Sequence, residues 1–211
     1  LTRRAIEVAE AAQSPAFILT DQFLADSFRA VEPFDIESLE CICPGAAEAD
    51  ITIPYQRYSI TQDGISPRLL PGKTTHLVVA DSDEHTEDGH LTEDLEARVR
   101  QVDKRMRKLE LLRAAAVQPA YVGEDTPDVL FVCWGSTQGA VIEAASQLVG
   151  PGRCTATLHF SQVWPLVPEH FIGHLEGAKR VVFVEGNATA QFAALVRRET
   201  GFDAAQHILR Y

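Results

Sequence analysis

From Asp128 onward, short apolar runs alternate with helix-like stretches, and this rhythm constrains the fold more than any other feature of the chain. Asp128-Val-Leu-Phe-Val-Cys133 is apolar at every position after the aspartate, without the apolar/polar alternation of a strand that has one wet face. Gly135-Ser-Thr-Gln-Gly139 then reads as a turn, and Ala140 to Val149 as a helix with small and apolar residues on its inner face. Thr155 to Phe160, a helix near Glu169 to Leu175, Arg180 to Val184 and a helix near Ala190 to Thr200 continue the pattern. Strands alternating with helices imply a parallel sheet covered on both sides. Residues 126–211 are therefore expected to form an α/β domain.

Upstream the same grammar is incomplete. Arg3 to Ala12 place Ala5, Ile6, Ala9 and Ala12 at helical spacing, and Gln13-Ser14-Pro15 ends that helix. Ala16-Phe-Ile-Leu-Thr20 is a short apolar run of the kind that forms a buried strand. One helix and one strand cannot bury a sheet by themselves, so residues 1 to about 35 are expected to be the end of a larger α/β domain that starts upstream. Leu1 is not an initiator methionine, which fits a piece of a longer chain. Glu32 to Pro54, with its Pro44-Gly45 turn signal, reads as an irregular connector, and His76 to Ala80 as another strand candidate.

Between Leu95 and Leu109 the apolar residues Leu95, Val99, Val102, Met106 and Leu109 fall on one narrow helical stripe. The other faces carry Arg98, Arg100, Lys104, Arg105, Arg107 and Lys108, a basic concentration in a chain whose formal net charge is -11. Two readings stand: a solvated face on a packed helix, or a surface for an acidic partner. The overall acidity argues against nucleic acid, which requires a basic footprint. No apolar run reaches the roughly 18 residues that a membrane span needs. Cysteines 41, 43, 133 and 154 form no C-x-x-C pair, and a reducing cytoplasm is the expected setting. Cys41 and Cys43 read either as ordinary thiols or as the start of a metal or redox site.

The segment from Tyr58 to Lys108 is dense in specific chemistry yet fits no regular element until its final helix. It contains Asp63-Gly-Ile-Ser-Pro-Arg68-Leu-Leu-Pro-Gly72, then Glu84-His85-Thr-Glu-Asp-Gly89-His90-Leu-Thr-Glu-Asp94, then Arg98 followed by Lys104, Arg105 and Lys108. Structureless stretches beyond about 12 to 15 residues are usually functional or linkers. Two prolines and two glycines fix the backbone around Arg68, whose planar guanidinium can grip a carboxylate through two parallel hydrogen bonds. A surface ion pair is the alternative. His85 and His90 do not match H-E-x-x-H, and Gly89 between them interrupts any helix. They read as a hydrogen-bonded loop, as lining of an active site or, with the carboxylates around them, as metal ligands, while Thr92 and Glu93 can cap the basic helix.

The order of these pieces resembles the α subunit of 2-oxoacid:ferredoxin oxidoreductases, especially the 2-oxoglutarate type, and the likeness runs from Ser14 to beyond Ala140. The resemblance implies the end of a thiamine-pyrimidine-type α/β domain over 1–50, and an extended connector with a substrate loop and basic helix over 51–125. Over 126–211 it implies a transketolase C-terminal-like domain. It places Arg68 beside the substrate carboxylate, while for His85 and His90 lining of the active site stays one of the three readings above. In the assembled enzyme it implies thiamine diphosphate with Mg, an iron-sulfur cluster in a β subunit, ferredoxin as electron acceptor and coenzyme A as acyl acceptor. Such an enzyme is an oligomer. The chain carries neither the Cys-rich cluster motif nor the diphosphate-binding G-D-G…N pattern, so by itself it is expected to hold no cofactor and to be catalytically inert. The family's late N-x-T-G-Q turn appears here as Asn187-Ala-Thr189-Ala190-Gln191, with alanine in place of glycine. Two rival readings are a non-catalytic transketolase-like assembly module and a flavodoxin-like protein holding nucleotide in the Gly135 to Gly139 turn.

Overall fold

The computed structural model describes residues 1–39, 45 and 51–211. They separate into two compact units, Leu1–Ile18 with Ala30–Ala114 and Leu19–Arg29 with Ala115–Tyr211. The Cys41 and Cys43 pair lies outside the described residues. The first three helices are α1 (Thr2–Ala12), α2 (Gln22–Asp26) and α3 (Leu95–Ala114), of which α2 belongs to the second unit. No helix among the described residues is long and apolar enough to cross a membrane.

The second unit is the α/β domain that the alternation requires. Strands β1 (Ala120–Gly123), β2 (Val129–Trp134), β3 (Thr155–Phe160), β4 (Val181–Glu185) and β5 (Gln206–Leu209) form one sheet in the order β1-β3-β2-β4-β5. The pairs β2/β3, β2/β4 and β4/β5 are parallel, and β1 runs antiparallel to β3. Helix α4 (Gln138–Leu148) follows β2, α5 (Ile172–Gly177) follows β3, and α6 (Gln191–Thr200) follows β4.

Successive strand residues point to opposite faces, so a run that is apolar throughout needs cover on both. On one face Leu130, Val132, Leu158, Phe160 and Phe183 pack with Leu175 of α5 and with Phe192 and Val196 of α6. Phe160 sits edge-on to Phe171 and Phe192, with ring centroids 5.2 and 4.8 Å apart. On the other face Phe131, Cys133 and Val182 meet Val141 and Ala145 of α4. Each large side chain buried this way contributes about 1.5 to 3 kcal/mol before entropy is subtracted.

The edge strands were not apparent in the sequence because edges need no continuous apolar run. In β5 Gln206, His207 and Ile208 are exposed, and in β1 only Tyr121 is partly covered. Gly123 has a φ of 133°, and a Cβ there would sit 2.7 Å from the Cα of Ala156. Only glycine lets β1 approach β3 so closely.

In the first unit three expectations are corrected. Ala16–Thr20 forms no strand, and Phe17 is 85% exposed. His76 to Ala80 is likewise irregular. An apolar run becomes a strand only where another strand supplies hydrogen bonds, and no described strand pairs with either segment. The third correction concerns α3, which runs on to Ala114 and buries the opposite side from the one its apolar stripe marks. Leu95, Val99 and Met106 are exposed, while Ala97, Gln101 and Lys104 are buried.

Candidate functional site

The inverted helix α3 organises the first unit. Gln101, Lys104 and Lys108 lie on one face, and each donates to a carbonyl of the irregular chain: Gln101 Nε2 to Tyr58 O (3.1 Å), Lys104 Nζ to Tyr58 O (3.0 Å) and Lys108 Nζ to Gln13 O (2.9 Å). Lys104 also donates to the Ser66 hydroxyl, and Arg107 to Thr61 O at 2.7 Å. A loop without a sheet or helix must satisfy its backbone carbonyls elsewhere. Here part of the basic helix does so, a role its charges did not suggest, while Arg98 and Arg100 stay exposed as a solvated face would.

The loop is locked further from within. The Tyr55 hydroxyl donates to Pro67 O (3.3 Å) and accepts from Leu69 N (3.0 Å), so it clamps the backbone on both sides of Arg68. The Ser66 hydroxyl donates to Ser59 O at 2.9 Å. Glu87 accepts from Ile60 N through its side chain (2.7 Å) and from Tyr58 N through its backbone carbonyl (2.8 Å). Gly64, at a φ of 83°, lies where a Cβ would be 2.5 Å from Lys104 O, and Gly89, at 99°, where one would be 2.2 Å from Val79 O. Both positions combine a left-handed backbone with a close approach, which excludes side chains.

Arg68 is held rather than free. Its guanidinium pairs with Glu10 of α1, its side chain is 21% exposed, and its Nε is buried without a hydrogen-bond partner. His85 and His90 part company. His85 stacks on Tyr58, with ring centroids 3.6 Å apart, and burial lowers its pKa so that the neutral imidazole is favoured. His90 is largely exposed and bonds Asp88 at 3.1 Å. Among the described residues no group of three or more His, Cys, Asp or Glu side chains is placed to hold a metal ion.

A cavity of about 140 Å³ opens between α3 and the loop, lined by Gln13, Arg57, Tyr58, His85, Lys104 and Lys108 among others. Burial, with Lys108 and Arg57 nearby, lowers the Lys104 ammonium to a pKa of about 8. Burial lowers Lys108 as well, with Arg57 and Arg105 adding to it. Arg105 spends its fork on Glu84, at 3.1 and 2.7 Å, and this bond holds the Glu84 carboxyl below its ordinary range. The sequence marked Lys104 only as one of the helix's basic residues and gave Tyr58 no role. A second stripe at helical spacing, Ala97, Gln101, Lys104 and Lys108, is the signal that marks the packed face.

The depressed Lys104 predicts a pH dependence of stability. An unfolded lysine titrates near 10.4, so between about 8 and 10.4 the unfolded chain binds more protons than the folded one. Stability from this group therefore rises with pH through that window. Urea melts at pH 7.5 and 10 should show wild type gaining on Lys104→Met at the higher pH; a constant difference between them would contradict it.

In the second unit the Gly135 to Gly139 turn is engaged by the chain itself. The Ser136 hydroxyl donates to the Asp21 carboxylate, which also accepts from Leu24 N at 2.9 Å as the cap of α2. The hydroxyl that a nucleotide phosphate would use already has an acceptor, which disfavours the flavodoxin-like reading. Beyond this turn, Glu185 at the end of β4 is 1% exposed and accepts from Phe192 N (2.9 Å), Ala193 N (3.0 Å), Asn187 Nδ2 (2.7 Å) and Trp134 Nε1 (3.4 Å). It anchors the N-terminus of α6, and it was not apparent in the sequence.

No family model matches the chain. Over 98% of its length it is 31% identical to 2-oxoacid:ferredoxin oxidoreductase 1, subunit alpha, of Sulfurisphaera tokodaii, and 32% identical to 2-oxoacid:ferredoxin oxidoreductase 2, subunit alpha, of Aeropyrum pernix. These relatives are subunits of oxidoreductases, and the chain spans 33% of the length of each. Among solved structures it superposes with a TM-score of 0.85 and 26% identity on the 2-oxoglutarate:ferredoxin oxidoreductase from Magnetococcus marinus, over 98% of this chain and 36% of that one. That structure contains 2-oxoglutarate, coenzyme A and succinyl-CoA. The mixed α/β architecture with a mainly parallel five-stranded sheet agrees with this neighbour.

Proposed function

We propose that the chain is part of the α subunit of a thiamine diphosphate-dependent 2-oxoacid:ferredoxin oxidoreductase acting in the cytoplasm, with 2-oxoglutarate as the oxoacid. The observation that carries this reading is that the similarity to α subunits extends over 98% of the chain, through both units. The 2-oxoglutarate bound in the solved neighbour supports that oxoacid over others.

Within this reading Arg68 grips the oxoacid carboxylate. Tyr55 clamps its backbone from both sides, and Glu10 holds the guanidinium in a fixed orientation until substrate arrives. His85, kept neutral by burial, lines the same loop, whereas His90 points to Asp88. Oxidative decarboxylation needs an electron sink that side chains do not supply. Thiamine diphosphate with Mg would supply it in the assembled enzyme, where the β subunit would hold an iron-sulfur cluster for electron transfer to ferredoxin and coenzyme A would be the acyl acceptor. Burial pushes the Cys133 thiol up to about 11, away from the thiolate that a cluster requires, and this reading assigns the cluster to the β subunit. In it the chain contributes substrate positioning through Arg68.

The test is the intact complex, purified without oxygen and assayed for dye reduction that requires both 2-oxoglutarate and coenzyme A. Reduction dependent on both establishes the activity. Reduction with pyruvate but not 2-oxoglutarate would overturn the substrate assignment, and assembly without any oxoacid-dependent reduction would favour a non-catalytic assembly module.

A further inference from the structure

We propose that the cavity between α3 and the loop is a binding site for the phosphoryl group of a small anionic ligand, separate from the carboxylate grip assigned to Arg68. This does not depend on the proposed function. The cavity, at about 140 Å³, holds a tetrahedral oxyanion and a few waters, since one water occupies about 30 Å³ of liquid.

Charge is the first reason. Arg57, Lys104, Arg105 and Lys108 line the space from two directions, α3 and the start of the loop. Arg105 is neutralised by Glu84. Of the other carboxylates, Glu87 is near enough to favour the charged form of Lys104, and it keeps its charge while its Oε2 accepts from Ile60 N. The hydrogen bonds that hold Arg57, Lys104 and Lys108 all go to neutral groups: Gln13 Oε1, Tyr58 O, Ser66 Oγ and Gln13 O. Glu87 thus offsets only part of the charge of Arg57, Lys104 and Lys108 among the described residues, and crowded cations in a partly buried space favour an anion.

Donor chemistry is the second reason and selects the ligand. Carboxylates are matched by an arginine fork, yet the Arg105 fork already holds Glu84, and Arg57 lies over the Tyr58 ring with its Nη1 on Gln13. What remains are two ammonium groups, point charges that suit the spread oxygens of a phosphoryl group. The His85 ring is one wall of the cavity, with its Nδ1 buried on the side of the Glu84 carboxylate at 4.0 Å, so the ring reports occupancy without being a donor to the ligand.

The experiment titrates the full chain with inorganic phosphate, and separately with acetate, at matched ionic strength and pH 7. Calorimetry reports binding, and the NMR signals of the His85 ring report location. We expect saturable one-to-one binding of phosphate, weaker binding of acetate, and a phosphate-dependent shift of the His85 ring. Lys108→Gln should weaken binding about tenfold or more, and Lys104→Met at least as much, because each removes a charge-assisted hydrogen bond. Arg100→Gln, an exposed change outside the cavity, should leave it unaltered. If Lys104→Met fails to fold, Lys108→Gln and the His85 shift decide. Absence of saturable binding, equal binding of acetate, or an equal loss in Arg100→Gln would overturn the proposal.

Discussion

Glu185→Ala is expected to destabilise the second unit by about 3 to 5 kcal/mol, because a buried donor left without its acceptor costs about 1 to 3 kcal/mol and four donors converge on this carboxylate. Two are the first free N–H groups of α6, from Phe192 and Ala193. The others are the Asn187 amide and the Trp134 indole. The costs do not add fully, since the first turn of α6 can fray toward water. For a domain of about a hundred residues this corresponds to a fall in Tm on the order of 15 °C or more. Glu185→Gln keeps one acceptor oxygen and should cost less than half as much. Thermal melts of the two variants check this, and an alanine variant within about 1 kcal/mol of wild type would show that water replaces the carboxylate without loss.

Glu185 also marks the limit of what could be read from residues alone. The apolar run of β4 up to Val184 and the helix after Ala190 were legible, because a run buried on both faces has to be apolar throughout. A glutamate after such a run looks like the solvated end of a strand. Its role depends on the first turn of α6 folding back over it, which no local pattern encodes. Ala190 is a related case. It adopts φ 52° and ψ 48°, a left-handed backbone that an alanine in the sequence does not announce.

Helix α3 shows how a sound local pattern can mislead. Its helical periodicity was correct, yet the apolar stripe faces outward and the polar stripe is packed. What reverses the preference is the set of loop carbonyls at Gln13, Tyr58 and Thr61, far away in sequence, which need donors more than Leu95 or Val99 need cover. The constrained backbone around Arg68 was legible for the opposite reason, since its immediate neighbours fix it. The ion pair of Arg68 with Glu10 was not, because that partner comes from α1. The separation of His85 from His90 was hidden too, as it follows from stacking on Tyr58.

In the complete complex, Arg68→Lys is expected to lower oxoacid-dependent kcat/KM on the order of 10- to 100-fold while assembly and thiamine content stay normal. Lysine keeps the charge but loses the fork, and a charged hydrogen bond is worth roughly 1.5 to 3 kcal/mol, with each 1.4 kcal/mol about tenfold. The pairing of Arg68 with Glu10 supplies the control that separates substrate binding from structure. If Arg68 acts only by tying the loop to α1, Glu10→Gln should remove the same contact and cause the same loss. If the guanidinium grips the oxoacid, Glu10→Gln releases it from a competing carboxylate, and KM should be unchanged or lower. Retention of activity within about twofold in Arg68→Lys, or matching losses in the two variants, would leave Arg68 as an ion pair of the fold.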